Sequence, residues 1–332
     1  MRTRNRKSKL TKNAKDFRDI LKKQQYRLVG EHSCVHVCRW TKKSILDGGV
    51  CYKEAFYGIK SHECCQMSPW IECQNKCVHC WRPIELEMKT DHSLTDDPKK
   101  IIDGCILAQR KLLTGLGGYL RTNQEKYKEA KDPSQFAISL IGEPTLYPNL
   151  VELILELRKQ GKTSFLVTNG LFPKRITELE EKNALPTQLY VSLLYANEGM
   201  FRKITGNKEV DSWKKYNETL GIIKNLKTRT VIRMTVINDI NMEEGHLEEY
   251  GELIKKASPL FVEIKGYMAV GFSRKREGMG YSRMPYHKEV KEFSEKLLKF
   301  LPGYKFLGEK EESRVVLLGK DKERMKIQKD EI

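Results

Sequence analysis

The alternation of apolar and polar positions along the chain predicts a parallel α/β sheet. Between Met67 and Lys265, short runs rich in β-branched and aromatic residues alternate with longer amphipathic stretches. This alternation is typical of βα units. Six runs fit strands, which predicts a partial (β/α)6 barrel, like a TIM barrel but open. The runs are MSPWIE, QFAISLIG, SFLVTNG, QLYVSLL, RTVIRMTVI and LFVEIKGY.

The barrel pattern divides the chain into three segments. Residues 1–65 form an N-terminal extension that carries a basic arm and several cysteines, and residues 66–300 form the barrel. Residues 301–332 supply one more predicted strand, SRVVLLG, and a charged tail. We expect both the arm and the tail to be mobile, because they are highly charged and lack apolar periodicity.

The charge balance narrows the choice of partner. The chain has 332 residues, with 61 Lys and Arg against 44 Asp and Glu, a net charge of +17. This excess favours a polyanion such as nucleic acid, although a solvated surface rich in Lys and Glu gives a similar composition. No apolar run approaches the roughly 18 residues of a membrane span. We therefore expect a cytoplasmic protein with no membrane partner, whose nine cysteines bind metal or act in redox chemistry.

Three of these cysteines lie close together after the first predicted strand. Cys73, Cys77 and Cys80 have the spacing C-x3-C-x2-C, which brings three thiolates to one side of a tight loop. A cubane iron–sulfur cluster suits this arrangement and would keep one iron free for a substrate or cofactor. The alternative is a zinc site of Cys3His type completed by His62 or His79, but His79 lies between two of the cysteines.

Two further motifs follow the second and third predicted strands, where barrels of this type hold their chemistry. Gly142 and Glu143 belong to IGEPTL, and Thr168 and Asn169 belong to TNG. Taken alone, GEPTL fits a turn into a helix, with Pro144 fixing φ. Its position beside the cysteine triplet favours a cofactor site.

A second cysteine triplet lies in the extension. Cys38, Cys51 and Cys64 are separated by two equal intervals of thirteen residues, in a polar stretch that contains glycines. Such a setting favours metal ligation over burial as small apolar residues. Three ligands again predict a cluster with one open iron. Cys34 and Cys65 neighbour this set and could each replace a member of it.

Together these motifs resemble the radical S-adenosylmethionine (SAM) enzymes, in which C-x3-C-x2-C is followed by a Gly-Glu-Pro element. One glycine precedes the glutamate here, where that superfamily often has two. Within it, the chain resembles the archaeal tRNA 4-demethylwyosine synthase family over nearly its whole length. The resemblance rests on the thirteen-residue register and on CYKEAFYGIKSH, CQNKCVHCWRP, GEPTLYP, LVTNG, QLYVSL and VEIKGYMAVGFSR.

The resemblance implies two 4Fe-4S clusters, one on each triplet, and SAM as cofactor. It implies a carbon–carbon lyase in which a 5′-deoxyadenosyl radical removes hydrogen from the N1-methyl group of 1-methylguanosine 37 of tRNA(Phe). Carbons of pyruvate then complete the tricyclic wyosine base. The enzyme would be a monomer that receives electrons from a separate donor of ferredoxin or flavodoxin type. The implied cofactor-binding residues are Gly142, Glu143, Thr168, Asn169, Ser192 and Arg233.

Lys53, two residues after Cys51, matches a lysine that the family is thought to place near pyruvate. Two roles fit the sequence. It can form a Schiff base, which requires a neutral amine and hence a lowered pKa, or it can pair with the carboxylate of pyruvate bound to the open iron. On the strand FVEIKGY, Glu263 and Lys265 alternate with apolar residues and so face one side of the sheet, and Arg233 fits the same pattern on its own strand.

For RNA binding, the candidates are the basic arm at residues 2–12 and the loop GFSRKREGMGYSR. Two other functions stay open. Another radical SAM tRNA-modifying enzyme, such as a methylthiotransferase, would normally add an RNA-binding module after the barrel, and a zinc-dependent RNA-binding protein would lack catalysis. In the loop, the candidate phosphate contacts are Arg274, Lys275 and Arg276, and the candidate stacking residues are Phe272 and Tyr281.

Overall fold

One mixed sheet organises the molecule in the computed structural model, which describes residues 12–86 and 95–332. Within these residues the sheet has ten strands, in the order β1-β2-β3-β4-β5-β6-β7-β8-β10-β9. The strands are β1 Arg27–Val29, β2 Ser33–Val35, β3 Cys64–Ser68, β4 Gln135–Ile138, β5 Thr163–Thr168, β6 Gln188–Ser192, β7 Arg229–Val236, β8 Phe261–Gly266, β9 Lys305–Lys310 and β10 Val315–Gly319.

Helices connect the strands, and several begin with a recognisable cap. Asp97 accepts a hydrogen bond from the Lys100 amide at 3.0 Å, and Pro98 occupies the first helical position after it. Gly206 ends another helix with φ +62°. The helices are α1 Lys12–Lys23, α2 Arg39–Ile45, α3 Tyr52–Tyr57, α4 Pro98–Leu113, α5 Gln124–Glu129, α6 Leu150–Lys159, α7 Pro173–Glu181, α8 Glu198–Thr205, α9 Ser212–Ile223, α10 Leu247–Ala257 and α11 His287–Leu298.

The predicted partial (β/α)6 barrel is confirmed. Strands β3 to β8 are parallel and pair in chain order, and each predicted run overlaps one of them. The first barrel strand, β3, begins at Cys64, three residues before the predicted run MSPWIE. On the outer face, residues such as Leu166, Ile232 and Ile264 join the main hydrophobic core with the helices. Alternate residues of the same strands therefore point inward.

Both flanking segments extend this same sheet with antiparallel strands. The β1–β2 hairpin pairs with β3, and β10 pairs with β8 and β9. The predicted boundary after residue 65 thus falls inside β3. The run SRVVLLG was expected to be a strand and corresponds to β10, whereas β9 was not expected. β9 is an edge strand in which Leu307 is the one buried residue, and its sequence KFLGEK has no apolar run to signal a strand.

Helix α3 of the extension packs on the inner face of the barrel. Tyr52, Phe56 and Tyr57 form one buried cluster with strand residues that include Phe165 and Phe261. The side chain of Tyr57 also donates a hydrogen bond to Glu263 on β8. The extension therefore fills the interior that an eight-stranded barrel would fill with strand side chains.

The C-terminal tail is ordered against α3, so the expectation that it is mobile is wrong. Met325 and Ile327 contact the inner cluster, and the Ile327 amide donates to the Tyr57 carbonyl at 3.0 Å. The ammonium of Lys326 donates to two carbonyls near the end of α3, and Glu331 pairs with buried Arg229 at 2.9 Å. Apolar residues spaced among the charges anchor the tail.

Part of the predicted basic arm is also structured. Residues 12–23 form α1, in which Phe17 and Leu21 are buried against Ile71 and Leu140. The phosphate-binding stretch proposed at residues 2–12 lies almost entirely outside the described residues. No helix within 12–86 and 95–332 is long and apolar enough to cross a membrane.

Candidate iron–sulfur and substrate sites

The first cysteine triplet lies on the loop after β3. This loop is held by backbone hydrogen bonds to the end of α8, from Lys76 to Thr205 at 2.8 Å and from Val78 to Ile204 at 2.9 Å. Its three sulfurs are electrostatic neighbours, and burial raises the pKa of the Cys73 thiol to about 11. A coordinating metal would deprotonate such thiols outright.

The Gly-Glu-Pro element packs tightly against this loop. Gly142 has φ +73°, and a Cβ atom there would lie 2.1 Å from the Trp70 carbonyl oxygen. The next amide, of Glu143, donates to the Glu72 carbonyl at 2.7 Å. Only glycine allows this approach, since both the dihedral angle and the space exclude a side chain.

The Glu143 carboxylate is buried and fully engaged within the protein. It accepts hydrogen bonds from the hydroxyls of Thr145 at 2.6 Å and Thr168 at 2.7 Å, and from the amides of Thr145 and Asn169. Burial raises the pKa of Glu143, while these donors oppose that shift. The carboxylate thus ties the ends of β4 and β5 together.

The hydrogen bonds to Glu143 position Asn169 beside the cysteine loop. Its side-chain amide nitrogen lies 3.7 Å from the Cys73 sulfur, and its oxygen lies 3.4 Å from the Gln74 amide nitrogen. The structure therefore brings together the cysteine triplet, the Gly-Glu-Pro element and the TNG motif, which the sequence separates by almost a hundred residues.

The second triplet is assembled from three elements. Cys38 immediately precedes α2, Cys51 immediately precedes α3, and Cys64 begins β3. Their sulfurs are electrostatic neighbours, and burial raises the pKa of Cys51 to about 11 and of Cys64 to about 12. Helix starts carry partial positive charge, which favours thiolates there once the thiols lose their protons.

The leftover cysteines do not join either triplet. Cys34, Cys65 and Cys105 are completely buried in the hydrophobic core, and Cys105 is the electrostatic neighbour of the other two. Cys64 and Cys65 are consecutive on β3 and so point to opposite faces of the sheet. The fold therefore disfavours Cys34 or Cys65 as a replacement for Cys38, Cys51 or Cys64 in the second triplet.

Outside the two triplets, one group of ligand-type side chains has its ligand atoms especially close together. Among the described residues, His62, Glu63 and Glu129 are the three whose ligand atoms all lie within 4.8 Å of one another. The Lys60 ammonium already pairs with both carboxylates, at 2.6 and 3.2 Å, and His62 contacts Glu129 at 2.7 Å. Protein charges thus balance this group, and we assign no metal to it.

Three cations lie beside the second triplet on its barrel side: Lys53 is buried, and Arg233 and Lys265 are partly buried. The ammonium of Lys53 lies 5.1 Å from the Phe165 ring centre and 5.2 Å from that of Tyr190. Burial, followed by repulsion from Arg233, lowers the pKa of Lys53. The same causes lower the pKa of Lys265 to about 8. Two amines near the triplet are thus biased toward their neutral, nucleophilic form.

The strands place one carboxylate among these cations. Ser192, Arg233 and Glu263 are direct register neighbours on β6, β7 and β8, so they share the inner face. Glu263 accepts a hydrogen bond from the Tyr57 hydroxyl at 2.8 Å, while its second oxygen is buried without a partner. Near the second triplet, the three cations Lys53, Arg233 and Lys265 therefore face the single carboxylate of Glu263, while Arg229 farther along β7 is paired with Glu331.

Arg276 does not face solvent, which corrects its predicted role as a phosphate contact. Its guanidinium donates to carbonyls of the first-triplet loop, at 3.1 Å to Val78 and 2.6 Å to Arg82, and its Nε donates to Glu85 at 2.7 Å. Arg274, Lys275 and Tyr281 are exposed as predicted, whereas Phe272 is only partly exposed. Sequence reasoning also missed Arg82, although CWRP places it two residues after Cys80.

Comparisons with known proteins agree with this geometry. The barrel and first triplet define a radical SAM enzyme, and the model of the radical SAM superfamily matches residues 67–250. A second model, for wyosine base formation, matches residues 256–320. The residues present fit a 4Fe-4S cluster that keeps one iron for SAM, because the triplet offers three neighbouring sulfurs and the Asn169 amide lies beside one of them.

The relatives identify the family. The chain is 43% identical to the SAM-dependent tRNA 4-demethylwyosine synthase of Pyrococcus horikoshii, over 92% of this chain and 89% of that protein. The enzyme of the same name from Methanocaldococcus jannaschii is 40% identical, over 90% and 94% of the two chains. The chain therefore belongs to the tRNA 4-demethylwyosine synthase family. It is an enzyme, so the non-catalytic zinc alternative is wrong.

Solved structures support the same assignment. A structure of TYW1 with a lysine–pyruvate adduct bound is 34% identical, with a TM-score of 0.81 over 95% of this chain and 98% of that one. A crystal structure of archaeal TYW1 is 32% identical, with a TM-score of 0.75 over the same shares. The fold thus matches over nearly the full length of both chains.

Proposed function

We propose that this protein joins 1-methylguanosine 37 of tRNA(Phe) with carbons of pyruvate to form the tricyclic 4-demethylwyosine base. The observation that carries the proposal is the cluster of cations beside the second cysteine triplet, of which Lys53 is buried and Arg233 and Lys265 are partly buried. A radical SAM site alone fits many substrates. An added site with surplus positive charge and two amines of lowered pKa fits a small anionic ketoacid.

In this proposal Cys73, Cys77 and Cys80 hold the first 4Fe-4S cluster, and SAM binds beside it. The cluster and SAM, when bound, supply a 5′-deoxyadenosyl radical for hydrogen abstraction from the N1-methyl group. The backbone at Gly142 and the side chain of Asn169 line the cofactor, while Glu143 fixes Asn169 in place. The surrounding barrel excludes water from the reacting atoms.

Cys38, Cys51 and Cys64 hold the proposed second cluster. No two of them come from the same element, so the fold must bring them together. In the metal-free protein, burial makes the charged thiolate form of these cysteines energetically unfavourable. A positively charged iron centre would offset that unfavourable energy. Three cysteine ligands would leave one iron of such a cluster free to bind pyruvate.

Lys53 is the proposed nucleophile toward pyruvate. Its neutral Nζ attacks the C2 carbonyl carbon, the carbonyl oxygen leaves as water, and a carbon–nitrogen double bond forms. Arg233 and Lys265 provide positive charge for the pyruvate carboxylate. The lysine–pyruvate adduct in the TYW1 structure supports a lysine in this role. Lys265 is the alternative nucleophile, because its pKa is also lowered.

RNA binding is proposed for two surfaces. One is the exposed loop side that carries Arg274, Lys275 and Tyr281. The other is a groove of about 710 Å³ that has no carboxylate among its lining residues. Phosphates favour such concentrations of positive charge. A separate donor of ferredoxin or flavodoxin type supplies electrons. The groove is lined by Lys22, Gln25, Tyr26, Arg27, Leu28, Lys42, Lys111, Leu112, Gly115 and Leu116.

The test of the function is an anaerobic assay with reconstituted protein, SAM, a reductant, pyruvate and tRNA(Phe) carrying 1-methylguanosine 37. We expect the tricyclic base by mass spectrometry of digested tRNA, and labelled pyruvate should show whether the lost carbon leaves as formate or carbon dioxide. Unmethylated tRNA is the control and should give no product. Methylthiolated tRNA instead of the tricyclic base would overturn the proposal.

The nucleophile is tested separately by trapping with borohydride. Protein incubated with pyruvate and reductant should gain the mass of one reduced pyruvate on a peptide that contains Lys53. Lys53→Arg should lose the adduct and Lys265→Arg should keep it. The opposite pattern would assign the chemistry to Lys265, and no adduct in any protein would leave Lys53 as a charge partner only.

A further inference from the structure

Arg82 makes a contact that the proposed reaction does not yet use. Its Nε donates to the Cys80 sulfur at 3.2 Å, and its Nη2 donates to the Asn75 carbonyl at 3.0 Å. The residue is 8% exposed. Two hydrogen bonds from one planar guanidinium fix its orientation, so the contact with sulfur is held and does not depend on a mobile side chain.

The charge of Arg82 is felt by the whole triplet. Its guanidinium is an electrostatic neighbour of the sulfurs of Cys80, Cys73 and Cys77, and an arginine side chain in a protein does not lose its proton. The cation is therefore kept charged where a neutral side chain would be easier to bury. A buried positive charge at this place would stabilise the cysteine-bound cluster when that cluster gains an electron and becomes more negative.

Arg276 holds the other side of the same loop. Besides Val78 and Arg82, its guanidinium also donates to the Cys80 carbonyl. A second contact also joins the Arg276 loop to the cysteine loop, since the Phe272 amide donates to the Trp81 carbonyl at 3.1 Å. A Cβ on Gly271 would lie 2.7 Å from that carbonyl oxygen, which shows how closely the two loops approach.

The two arginines come from different parts of the protein. Arg82 lies within residues 67–250, which match the general radical SAM model, and Arg276 lies within residues 256–320, which match the wyosine base formation model. The segment that matches the wyosine base formation model thus donates a hydrogen bond to the backbone of Arg82, the residue that contacts the Cys80 sulfur.

We infer that Arg82 raises the reduction potential of the first cluster through its charged hydrogen bond to Cys80, and that Arg276 acts as a positioning residue for Arg82. A hydrogen bond to a ligand sulfur and a nearby positive charge both stabilise the reduced, more negative cluster. The inference rests on the proposed ligation of that cluster by Cys73, Cys77 and Cys80. Its effect is to let a donor of ferredoxin or flavodoxin type reduce the cluster more completely.

The test is the midpoint potential of the first cluster, followed by electron paramagnetic resonance in anaerobic titrations. Iron content and the spectrum of the reduced cluster are measured first, so a missing cluster is distinguished from a shifted one. To isolate the first cluster, all proteins carry Cys38→Ala, Cys51→Ala and Cys64→Ala. Arg82→Gln should lower the potential enough for at least a tenfold loss in the ratio of reduced to oxidised cluster at a fixed donor potential, about 59 mV for one electron.

Arg276→Gln should lower the potential in the same direction by a smaller amount. The double variant should equal Arg82→Gln alone, because Arg276 acts only through Arg82. Additive shifts would overturn the positioning role, and an unchanged potential in Arg82→Gln would overturn the inference as a whole. If Arg82→Gln fails to load iron, Arg82→Met takes its place, because it also removes both the charge and the hydrogen bond to sulfur, and an unchanged potential there is equally fatal. Arg82→Lys, which keeps the charge, should lower the potential less than either.

A matched control comes from the same loop. Arg283 also donates to backbone carbonyls, of Gly278 at 3.0 Å and Asn238 at 3.1 Å, but it does not touch the cluster loop. Arg283→Gln should leave the potential unchanged even where it lowers the melting temperature. A shift as large as that of Arg276→Gln would mean that any loosening of this loop changes the potential, which contradicts a specific role for Arg276.

Discussion

The two cysteine triplets are built in opposite ways. Cys73, Cys77 and Cys80 lie on one loop of eight residues, while Cys38, Cys51 and Cys64 begin three separate elements. The local triplet needs only its loop to be held, by α8, the Gly-Glu-Pro element and Arg276. The dispersed triplet needs the extension to be seated in the barrel first.

This difference teaches which contacts each site depends on. The first site meets polar side chains and backbone, in a loop that the general radical SAM fold provides. The second site lies among aromatic rings and cations that α3 and the inner strands bring together, with Lys53 buried among them. We therefore expect damage to α3 to spare the first site, and damage to the loop to disable the whole reaction.

The largest contrast should come from removing each triplet. Changing Cys38, Cys51 and Cys64 to Ala should reduce iron from about eight to about four atoms per chain and abolish the tricyclic product, while cleavage of SAM continues. Changing Cys73, Cys77 and Cys80 to Ala should also leave about four irons but stop cleavage of SAM. Iron, sulfide and 5′-deoxyadenosine are measured, with Cys105→Ser as the control. Four irons in the parent protein would remove the second cluster.

The next contrast separates the radical source from the pyruvate pocket. Lys53→Arg keeps the charge but has no nucleophilic amine, so formation of the tricyclic base should fall roughly a thousandfold or more, with SAM cleavage changed less than about threefold. Both products are quantified in the same reaction. A parallel loss of both activities would mean that Lys53 supports the first site as well.

A smaller effect is expected from Gly142→Ala at the first site. The substitution combines a left-handed backbone with a clash against a carbonyl oxygen that cannot move easily, so we expect a loss of more than about 3 kcal/mol in unfolding free energy and weaker SAM binding. Gly161 has φ +65° with open space around it, so Gly161→Ala should cost only about 1 to 2 kcal/mol. Denaturant unfolding and equilibrium dialysis of SAM provide the comparison. Equal costs would show that the close approach has no role.

The smallest effect should come from the tail that supports α3. Glu331→Gln removes the charge partner of buried Arg229 and should lower the unfolding free energy by about 1 to 2 kcal/mol. Iron at the second site should become easier to remove with a chelator, while the first site is unaffected. Lys329→Gln, an exposed change in the same tail, is the control. Faster loss of iron from the first site would contradict the separation of the two regions.

The sequence predicted the parts of the molecule that depend on local pattern. Six parallel strands follow from alternating apolar runs, and the first triplet, Gly142 and Asn169 follow from short motifs. The thirteen-residue register pointed to Cys38, Cys51 and Cys64 as a set, which the fold gathers together. The spacing could not exclude Cys34 and Cys65 as metal ligands, because only the strand register and burial show that they face the core.

Tertiary contacts explain what was missed. Arg276 looked like a phosphate contact because its neighbours are basic, but the loop turns it inward onto carbonyls almost two hundred residues earlier in the chain. The tail looked mobile because Met325 and Ile327 are isolated among charges, and only the inner cluster gives them partners. No local signal in the sequence distinguishes such residues from a solvated surface.

The seating of α3 in the barrel also has a consequence for how the protein is made. The Tyr57 hydroxyl that fixes the helix reaches Glu263, which is 206 residues later in the chain. During synthesis from the N-terminus, the helix must therefore wait for β8, and such distant contacts form slowly. The thiols of Cys38, Cys51 and Cys64 are exposed to oxidants for that interval. Expression at low oxygen should therefore protect the N-terminal thiols of the growing chain, well before any cluster is inserted.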